Sequence, residues 1–497
     1  MLVTLLISLI VLYIILRIGR GKPWLVINHL RRRSSSAAIR IVGPSFFFLF
    51  LVANMFSLYH HYIKKPEGPN VILIVADTLR ADHLGCYGYT KPTSPNIDKF
   101  ASESLLFKNA WANASWTKPS MGSLFTSLFP HEHDFFFLAD KLSSTNLTLT
   151  ELFRNMDYKT IAFQTNPVLF KEHNFHQGFE SYLELPPDKG KIVVDRFKDW
   201  LKNHNKKPFF AYLHFMTTHI PYESPEELSQ IIGINNNEGT FIRLLTQLNL
   251  QKIKKESVIE LYDRAIKELD WYLCDVLETL NKFDLKEKTI IIFTSDHGEE
   301  LWDHGSFEHG HCLYNEVIKI PLIIHYPKAG HGLTIERNVQ LKEIGPIIIG
   351  LAKDNFGQLE FLFSDKNKSK GMLDQSRSVI FSEGIQYGPE KNSVVMDKWK
   401  LIYHTGIKYK GSFELFGNTY GELTKLLFSE DKQGFELYDL AKDPYEKNNL
   451  IANYPEVGKE LFFMINRIKM LEAGPREKST INLDEIKEKL KSLGYLN

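Results

Sequence analysis

Two short apolar runs, each followed by an aspartate, constrain the fold of this 497-residue chain most strongly. Residues 70–76 read NVILIVA and precede Asp77, and residues 289–295 read TIIIFTS and precede Asp296 and His297. Runs with almost no polar residue are typical of strands buried on both faces, as in a parallel sheet covered by helices. Because ligands bind beyond the carboxyl ends of such strands, we expect these three side chains to converge on one site.

Other apolar runs alternate with helical stretches and extend this prediction to a whole sheet. They lie at residues 160–163, 209–215, 290–293 and 321–325, and residues 261–281 have helical periodicity. Such alternation predicts an α/β fold, a mainly parallel sheet sandwiched by helices. After about residue 329 the strand-like pieces become shorter, which indicates a smaller C-terminal α+β subdomain. These pieces lie at residues 378–382, 393–395 and 400–404.

The segment at residues 114–129, ASWTKPSMGSLFTSLF, places a hydroxyl at the expected start of a helix. Thr117 stands two residues before Pro119, and proline suits a first helical turn because it lacks the N–H that would be unpaired there. The free N–H groups and the dipole of that turn favour a developing alkoxide or a bound anion. Thr117 is therefore the candidate nucleophile, and an ordinary helix-capping threonine is the alternative.

Several motifs, in order along the chain, resemble the sulfatase branch of the alkaline phosphatase superfamily. The resemblance rests on Asp77 in VADTLRADHLGCYGY, Thr117 in TKPS, His219 in HIPY, Asp296 and His297 in TSDHGE, His309 and His311 in HGHCLYNEVIKIPLI, and the later segments ELYDLAKDPYEKNNL and LKSLGYLN. It runs from about Asn70 to the end of the chain. It implies an alkaline phosphatase/sulfatase-like fold for the α/β part.

The expected site also needs a metal, because a phosphate or sulfate ester repels an anionic nucleophile. The expected ligands, three oxygens and one nitrogen, are Asp77, Thr117, Asp296 and His297. Calcium-binding sulfatases carry a second aspartate after the first and an amide at the position of His297, whereas Thr78 follows Asp77 here. The exchange of a hard oxygen ligand for imidazole favours zinc or manganese, with calcium or magnesium as the alternatives.

Three histidines are the candidates for the remaining catalytic work. His309 and His311 follow His297 by twelve and fourteen residues, and His219 lies just beyond the run that ends near residue 215. One of them is expected to bind a second metal or act as general acid, and the others to hydrogen-bond the ester oxygens.

The departures from the sulfatase pattern bear on the substrate. Sulfatases carry Cys or Ser at the position of Thr117, where oxidation yields formylglycine, and an Arg at the position of Met121. A Gly-Lys-Trp-His segment that lines their sulfate pocket is QTNP here, at residues 164–167. Thr nucleophiles occur in the membrane-anchored phosphoethanolamine and phosphoglycerol transferases of the superfamily.

The main expectation is therefore a hydrolase or transferase that cleaves phosphate monoesters or diesters, lipid-linked or glycan-linked, through a covalent Thr117 intermediate. Two alternatives stay open at this point. One is a sulfuric ester hydrolase, and the other is a noncatalytic membrane-anchored binding protein.

Residues 1–16 and 41–59 carry no charge and approach the roughly 20 residues that span a bilayer, which predicts two transmembrane helices. A signal peptide is the alternative for the first. Seven lysines and arginines and no acid lie between them, so the positive-inside rule places this loop in the cytoplasm and the catalytic domain on the extracytoplasmic side. The predicted division is a membrane anchor at 1–65, a catalytic domain at 69–335 and a C-terminal subdomain at 336–497.

The charge of the remaining chain excludes one class of partner. From residue 41 onward 53 lysines and arginines oppose 59 aspartates and glutamates, a net charge of −6. This is opposite to the basic surface of a nucleic-acid-binding protein. The expected partners are an ester substrate and a membrane, and the sequence leaves the oligomeric state open.

Overall fold

The computed structural model describes residues 68–186, 190–220, 222, 255–329, 332–353, 379–408 and 434–471. The expected transmembrane helices at residues 1–16 and 41–59, and the basic loop between them, lie outside these residues. Within the described ranges, no helix combines the length and the apolar character needed to cross a bilayer. The described residues from Gly68 onward belong to one compact unit.

The secondary structure of the described residues follows the expected alternation. The strands are β1 (Asn70–Ala76), β2 (Leu105–Trp111), β3 (Lys159–Gln164), β4 (Ser181–Glu184), β5 (Phe209–Phe215), β6 (Thr289–Thr294), β7 (Glu300–Leu301), β8 (Phe307–Glu308), β9 (Lys319–His325), β10 (Leu333–Gln340), β11 (Ile380–Glu383), β12 (Pro389–Met396), β13 (Trp399–Lys408) and β14 (Gly434–Asp439). The α-helices are α1 (Pro95–Ser102), α2 (Thr117–Thr126), α3 (Pro130–His133), α4 (Leu149–Asn155), α5 (Gly190–His204), α6 (Lys255–Lys282), α7 (Asn315–Ile318), α8 (Leu341–Ala352) and α9 (Pro455–Leu471).

The larger sheet has eight strands in the order β10-β2-β9-β6-β1-β5-β3-β4. Strands β6, β1, β5, β3 and β4 are parallel neighbours, and β9 runs antiparallel to both β6 and β2. Val75 of β1 pairs with His214 of β5 and with Thr294 of β6, so these three strands end level with one another. The prediction of an α/β fold with a mainly parallel sheet is confirmed.

Strand β1 lies at the centre of the sheet, and its side chains alternate between two hydrophobic cores. Val71, Leu73 and Val75 pack in the core that also contains residues of α2, α4 and α8. Ile72 and Ile74 pack in the core that contains residues of α5 and α6. Because both faces are covered, the strand has no need for polar side chains until it ends, which explains its unbroken apolar sequence.

A second sheet is formed by the antiparallel strands β11, β12, β13 and β14. Its hydrophobic core joins Leu401 and Leu437 of the sheet to Leu461 and Ile465 of α9. These strands overlap the shorter pieces expected from the sequence. The predicted boundary at residue 335 falls within β10, and the division into two domains there stays a prediction.

Candidate active site

The side chains expected at the ends of β1 and β6 meet at the carboxyl edge of the larger sheet. Asp77, Asp296 and His297 are fully buried, and each offers a ligand atom that lies within 4.8 Å of the other two. One oxygen of each carboxylate, Oδ1 of Asp77 and Oδ2 of Asp296, has no hydrogen-bond partner. A buried polar atom without a partner is costly, so these two oxygens fit the ligands of a cation.

Thr117 is the first residue of α2, and its hydroxyl points into this cluster. Trp116 occupies the cap position, and no side chain caps that end of the helix. Thr117 Oγ1 lies 3.3 Å from His297 Nε2 and 3.3 Å from Asn166 Nδ2. The hydroxyl therefore contacts the site, which favours the nucleophile interpretation over that of a capping threonine.

Burial and neighbouring charges shift the pKa values of the two aspartates in opposite directions. Although burial opposes its ionisation, a hydrogen bond from His214 and nearby imidazoles hold the pKa of Asp77 well below its usual value. Burial and the charge of Asp77 raise the pKa of Asp296 to about 7. Burial also lowers the pKa of His297, which keeps its imidazole neutral and able to bind a metal.

The donor set fits a divalent cation, since it combines two carboxylate oxygens, an imidazole nitrogen and a hydroxyl. Thr78, which follows Asp77, adds no further ligand of the carboxylate type. Its backbone is left-handed, with φ of 58°, its hydroxyl donates to the carbonyl of Thr218 at 2.6 Å, and its N–H donates to Asp296 Oδ1 at 3.3 Å. A left-handed β-branched residue is strained, and here it helps to orient a candidate ligand.

Two of the three candidate histidines lie beside the cluster. The ring of His309 is centred 4.5 Å from that of His297 and 5.2 Å from that of His219. His309 Nδ1 lies 3.0 Å from Glu299 Oε1, which leaves Nε2 as the nitrogen that can meet an ester. Burial lowers the pKa of His309 to about 3.

The third histidine lies in a different cluster. His311 Nε2 lies 2.7 Å from Glu300 Oε2, and the thiol of Cys312 approaches the same oxygen at 3.6 Å. The catalytic roles of His219, His309 and His311 stay predictions.

Two polar residues that the sequence did not single out contact the expected ligands directly. Asn166 follows β3, and its Nδ2 donates to Asp77 Oδ2 at 2.6 Å. His214 lies on β5 with its Nε2 3.0 Å from the same oxygen, and Tyr212 OH lies 2.5 Å from His214 Nδ1. The sequence contains a signal for both, since Asn166 stands beyond a strand end and His214 is the polar residue within the apolar run FFAYLHF.

Comparisons with known proteins agree with this fold. A family model described as Sulfatase matches residues 69–354. In an alignment of 530 positions, the chain is 21% identical to an N-acetylgalactosamine-6-O-sulfatase of Bacteroides thetaiotaomicron. The alignment covers 82% of this chain and 94% of that protein. A structure solved in complex with its substrate D-glucosamine-2-N,6-O-disulfate has a TM-score of 0.61 at 19% identity, covering 83% of this chain and 100% of the other.

The phosphonate monoester hydrolase of Agrobacterium radiobacter is also similar, with a TM-score of 0.59 at 18% identity over 83% of this chain and 100% of its own. At these identities the likeness to solved structures shows the fold. The names of the sequence relatives support the sulfatase alternative better than the expected phosphate-ester chemistry.

Proposed function

This chain belongs to the sulfatase family of hydrolases, and we propose that it cleaves a sulfate ester of a glycan with the help of a divalent cation. The observation that carries the proposal is the position of the Thr117 hydroxyl, 3.3 Å from His297 Nε2 and beside two buried carboxylate oxygens that have no hydrogen-bond partner. The relatives that act on sulfated amino sugars support the substrate class.

Asp77, Thr117, Asp296 and His297 would hold the cation. When bound, it supplies charge neutralisation and makes the Thr117 hydroxyl more acidic. We propose zinc or manganese, because an imidazole ligand and the missing second aspartate favour these metals over calcium.

Thr117 Oγ1 loses its proton to water and attacks the sulfur atom, and the bond between sulfur and the alcohol oxygen of the ester breaks. The departing alcohol oxygen takes a proton from a histidine, for which His219 is the candidate, because the low pKa of His309 leaves its ring neutral and suited to hydrogen-bond an ester oxygen. Water displaces the Thr117 oxygen from sulfur in a second step and releases sulfate. A noncatalytic binding role has less support, since the chain belongs to a family of hydrolases.

A second candidate is cleavage of a phosphate monoester or diester by hydrolysis or transfer. One specific observation favours it, namely that residue 117 is Thr, whereas sulfatases carry at this position the Cys or Ser from which formylglycine is made. A threonine hydroxyl forms a phosphoester directly. The similar phosphonate monoester hydrolase shares this fold with relatives that cleave sulfate esters.

The deciding experiment measures the release of sulfate and of phosphate from matched glycan and aryl esters, with intact-protein mass to detect an adduct on Thr117. Sulfate release, lost in Thr117→Ala and on metal removal, supports the proposal. Phosphate release with a phosphorylated Thr117 would establish the second candidate instead. Turnover of neither ester by metal-loaded protein would overturn both.

We also propose that residues 1–65 anchor the enzyme with its catalytic domain on the extracytoplasmic side, from the arginine-rich segment between two uncharged stretches. A topology reporter fused after Asn497 should act as extracytoplasmic. Cytoplasmic reporter activity would overturn the orientation.

A further inference from the structure

The amide of Asn166 is held in one orientation at the centre of the site. Its Oδ1 accepts a hydrogen bond from the backbone N–H of Val168 at 3.0 Å. The backbone N–H of Asn166 donates to Gln164 Oε1 at 2.7 Å. Because Oδ1 is an acceptor there, the donor group Nδ2 must face Asp77 and Thr117. The residue is only 4% exposed, so this arrangement is fixed by its surroundings.

The two basic residues nearest in sequence to the site residues, Lys118 and Arg80, bond to groups outside the site. Lys118, next to Thr117, donates from Nζ to the carbonyls of Phe137, Leu138 and Asp140 at 3.0, 2.5 and 2.8 Å. Met121, where sulfatases carry Arg, is buried in the hydrophobic core.

Arg80, three residues after Asp77, pairs with Asp82 at 2.8 Å and with Asp303 at 2.6 Å. Among the residues that the structure describes, no lysine or arginine donates to Thr117, Asp77 or Asp296. The uncharged amide of Asn166, which follows β3, donates to Asp77 and Thr117 instead.

We propose that Asn166 is a specificity-determining residue that selects esters with a single negative charge. This inference rests on the proposed function. Two ionised carboxylates and one divalent cation leave the ligand set with no net charge. Among the described residues no lysine or arginine adds to this charge, and the groups beside the ligand set are the Asn166 amide and the rings of His219 and His309. The second negative charge of a dianion therefore lacks a fixed cation, which costs more in a buried site than the single charge of a monoanion. Sulfate monoesters and phosphate diesters are monoanions, whereas phosphate monoesters are dianions above their second pKa of about 6.

The experiment compares three esters with one leaving group, 4-nitrophenyl sulfate, methyl 4-nitrophenyl phosphate and 4-nitrophenyl phosphate, at about pH 8. For the unaltered enzyme we expect kcat/KM for at least one monoanion to exceed that for the dianion by about tenfold or more, about 1.4 kcal/mol. The sulfate and diester arms show which monoanion is the substrate. A higher kcat/KM for the dianionic monoester would overturn the inference.

Substitution at Asn166 tests whether this residue sets the preference. Asn166→Lys should move the kcat/KM ratio toward the dianion by about tenfold, while Asn166→Ala should lower kcat/KM for all three esters. Asn70→Ala is the matched control, because Asn70 is also a buried asparagine of this sheet but stands at the opposite end of β1.

Calorimetry gives a readout that does not depend on turnover. The dissociation constants of dimethyl phosphate, a monoanion, and methyl phosphate, a dianion, should favour the monoanion in the unaltered protein and reverse in Asn166→Lys. An unchanged ratio in a folded Asn166→Lys protein would overturn the role of Asn166, and if that variant does not fold, the ratio in the unaltered protein still decides. Failure to cleave any ester with the metal bound would instead overturn the proposed function and this inference with it.

Discussion

Among the residues that the structure describes, two buried clusters have the composition of a metal site, and they differ in how their carboxylate oxygens are hydrogen-bonded. The open cluster is Asp77, Asp296 and His297, and the closed cluster is Glu300, His311 and Cys312. In the closed cluster Glu300 Oε1 accepts from the N–H groups of residues 304 and 306 at 3.0 and 2.7 Å, and Oε2 meets His311 and Cys312. In the open cluster one oxygen of each aspartate has no hydrogen-bond partner, and His297 Nε2 lies 3.3 Å from Asp296 Oδ2 and 3.8 Å from Asp77 Oδ1.

The difference shows that residue types alone do not identify a metal site. In the closed cluster every oxygen of Glu300 has a donor, and burial raises the pKa of the Cys312 thiol well above its usual value, so sulfur keeps its proton. Such a cluster needs no cation to satisfy its carboxylate. The open cluster holds two carboxylate oxygens without a hydrogen bond and a hydroxyl beside them, which fits the ligands of a cation.

The largest expected effect is a loss of bound metal when the open cluster is altered, with no loss when the closed cluster is altered. Asp296→Asn removes a charged ligand and should abolish both stoichiometric metal binding and turnover. Glu300→Gln, the matched change in the closed cluster, should leave the metal content unaltered. Elemental analysis of both purified proteins checks this, and full metal occupancy in Asp296→Asn would show that the ligand set is wrong.

Thr117→Ala should lower kcat by about a thousandfold or more, the scale that follows removal of a nucleophile, while the fold persists. Thr117→Ser should retain part of the activity, because it keeps the hydroxyl. Thr126→Ala, in the same helix but bonded to the carbonyl of Gly122, is the control. Near-normal turnover in Thr117→Ala with metal bound would leave metal-activated water as the nucleophile.

Metal removal should lower the free energy of unfolding only in proteins whose open cluster can bind the metal. A ligand at about 100 times its Kd contributes about 2.7 kcal/mol to the free energy of unfolding, so chelation should lower it by that order. Glu300→Gln should lose as much on chelation, and Asp296→Asn should lose nothing. An equal loss in both variants, measured by denaturant titration, would mean that the metal binds elsewhere.

The smallest effect belongs to the closed cluster. Burial opposes ionisation of Glu300, but the hydrogen bond from His311 holds its pKa below the ordinary value of 4.5. A carboxyl with a depressed pKa adds stability above its unfolded-state pKa and loses it as pH falls. His311→Ala should therefore cost about 1–3 kcal/mol near neutral pH and less below pH of about 4.5. A loss of turnover in His311→Ala without this loss of stability would indicate that His311 has a catalytic role.

The sequence was sufficient for the parts of the site that lie at strand ends. Asp77 and Asp296 could be placed together because each is the first charged residue after an apolar strand, and ligands bind at the carboxyl edge of such a sheet. Asn166 follows the same rule, yet a single asparagine in a turn has too many ordinary explanations to be singled out.

The contribution of His214 could not be predicted, because its contact with Asp77 depends on the register between β5 and β1. The closed cluster was equally hidden. His311 and His309 are two residues apart in one motif, and only the β7–β8 hairpin directs one toward Glu300 and the other toward Glu299.

The level ends of β1, β5 and β6 have a consequence for the order of events during folding. The N–H of Thr78 meets Asp296 across 218 positions of sequence, so no local segment can contain a preformed site. Closing contacts of such separation is slow compared with forming helices. Tight metal uptake should therefore occur only after β6 has docked beside β1, and the time course of metal capture in a refolding experiment would measure completion of the central sheet.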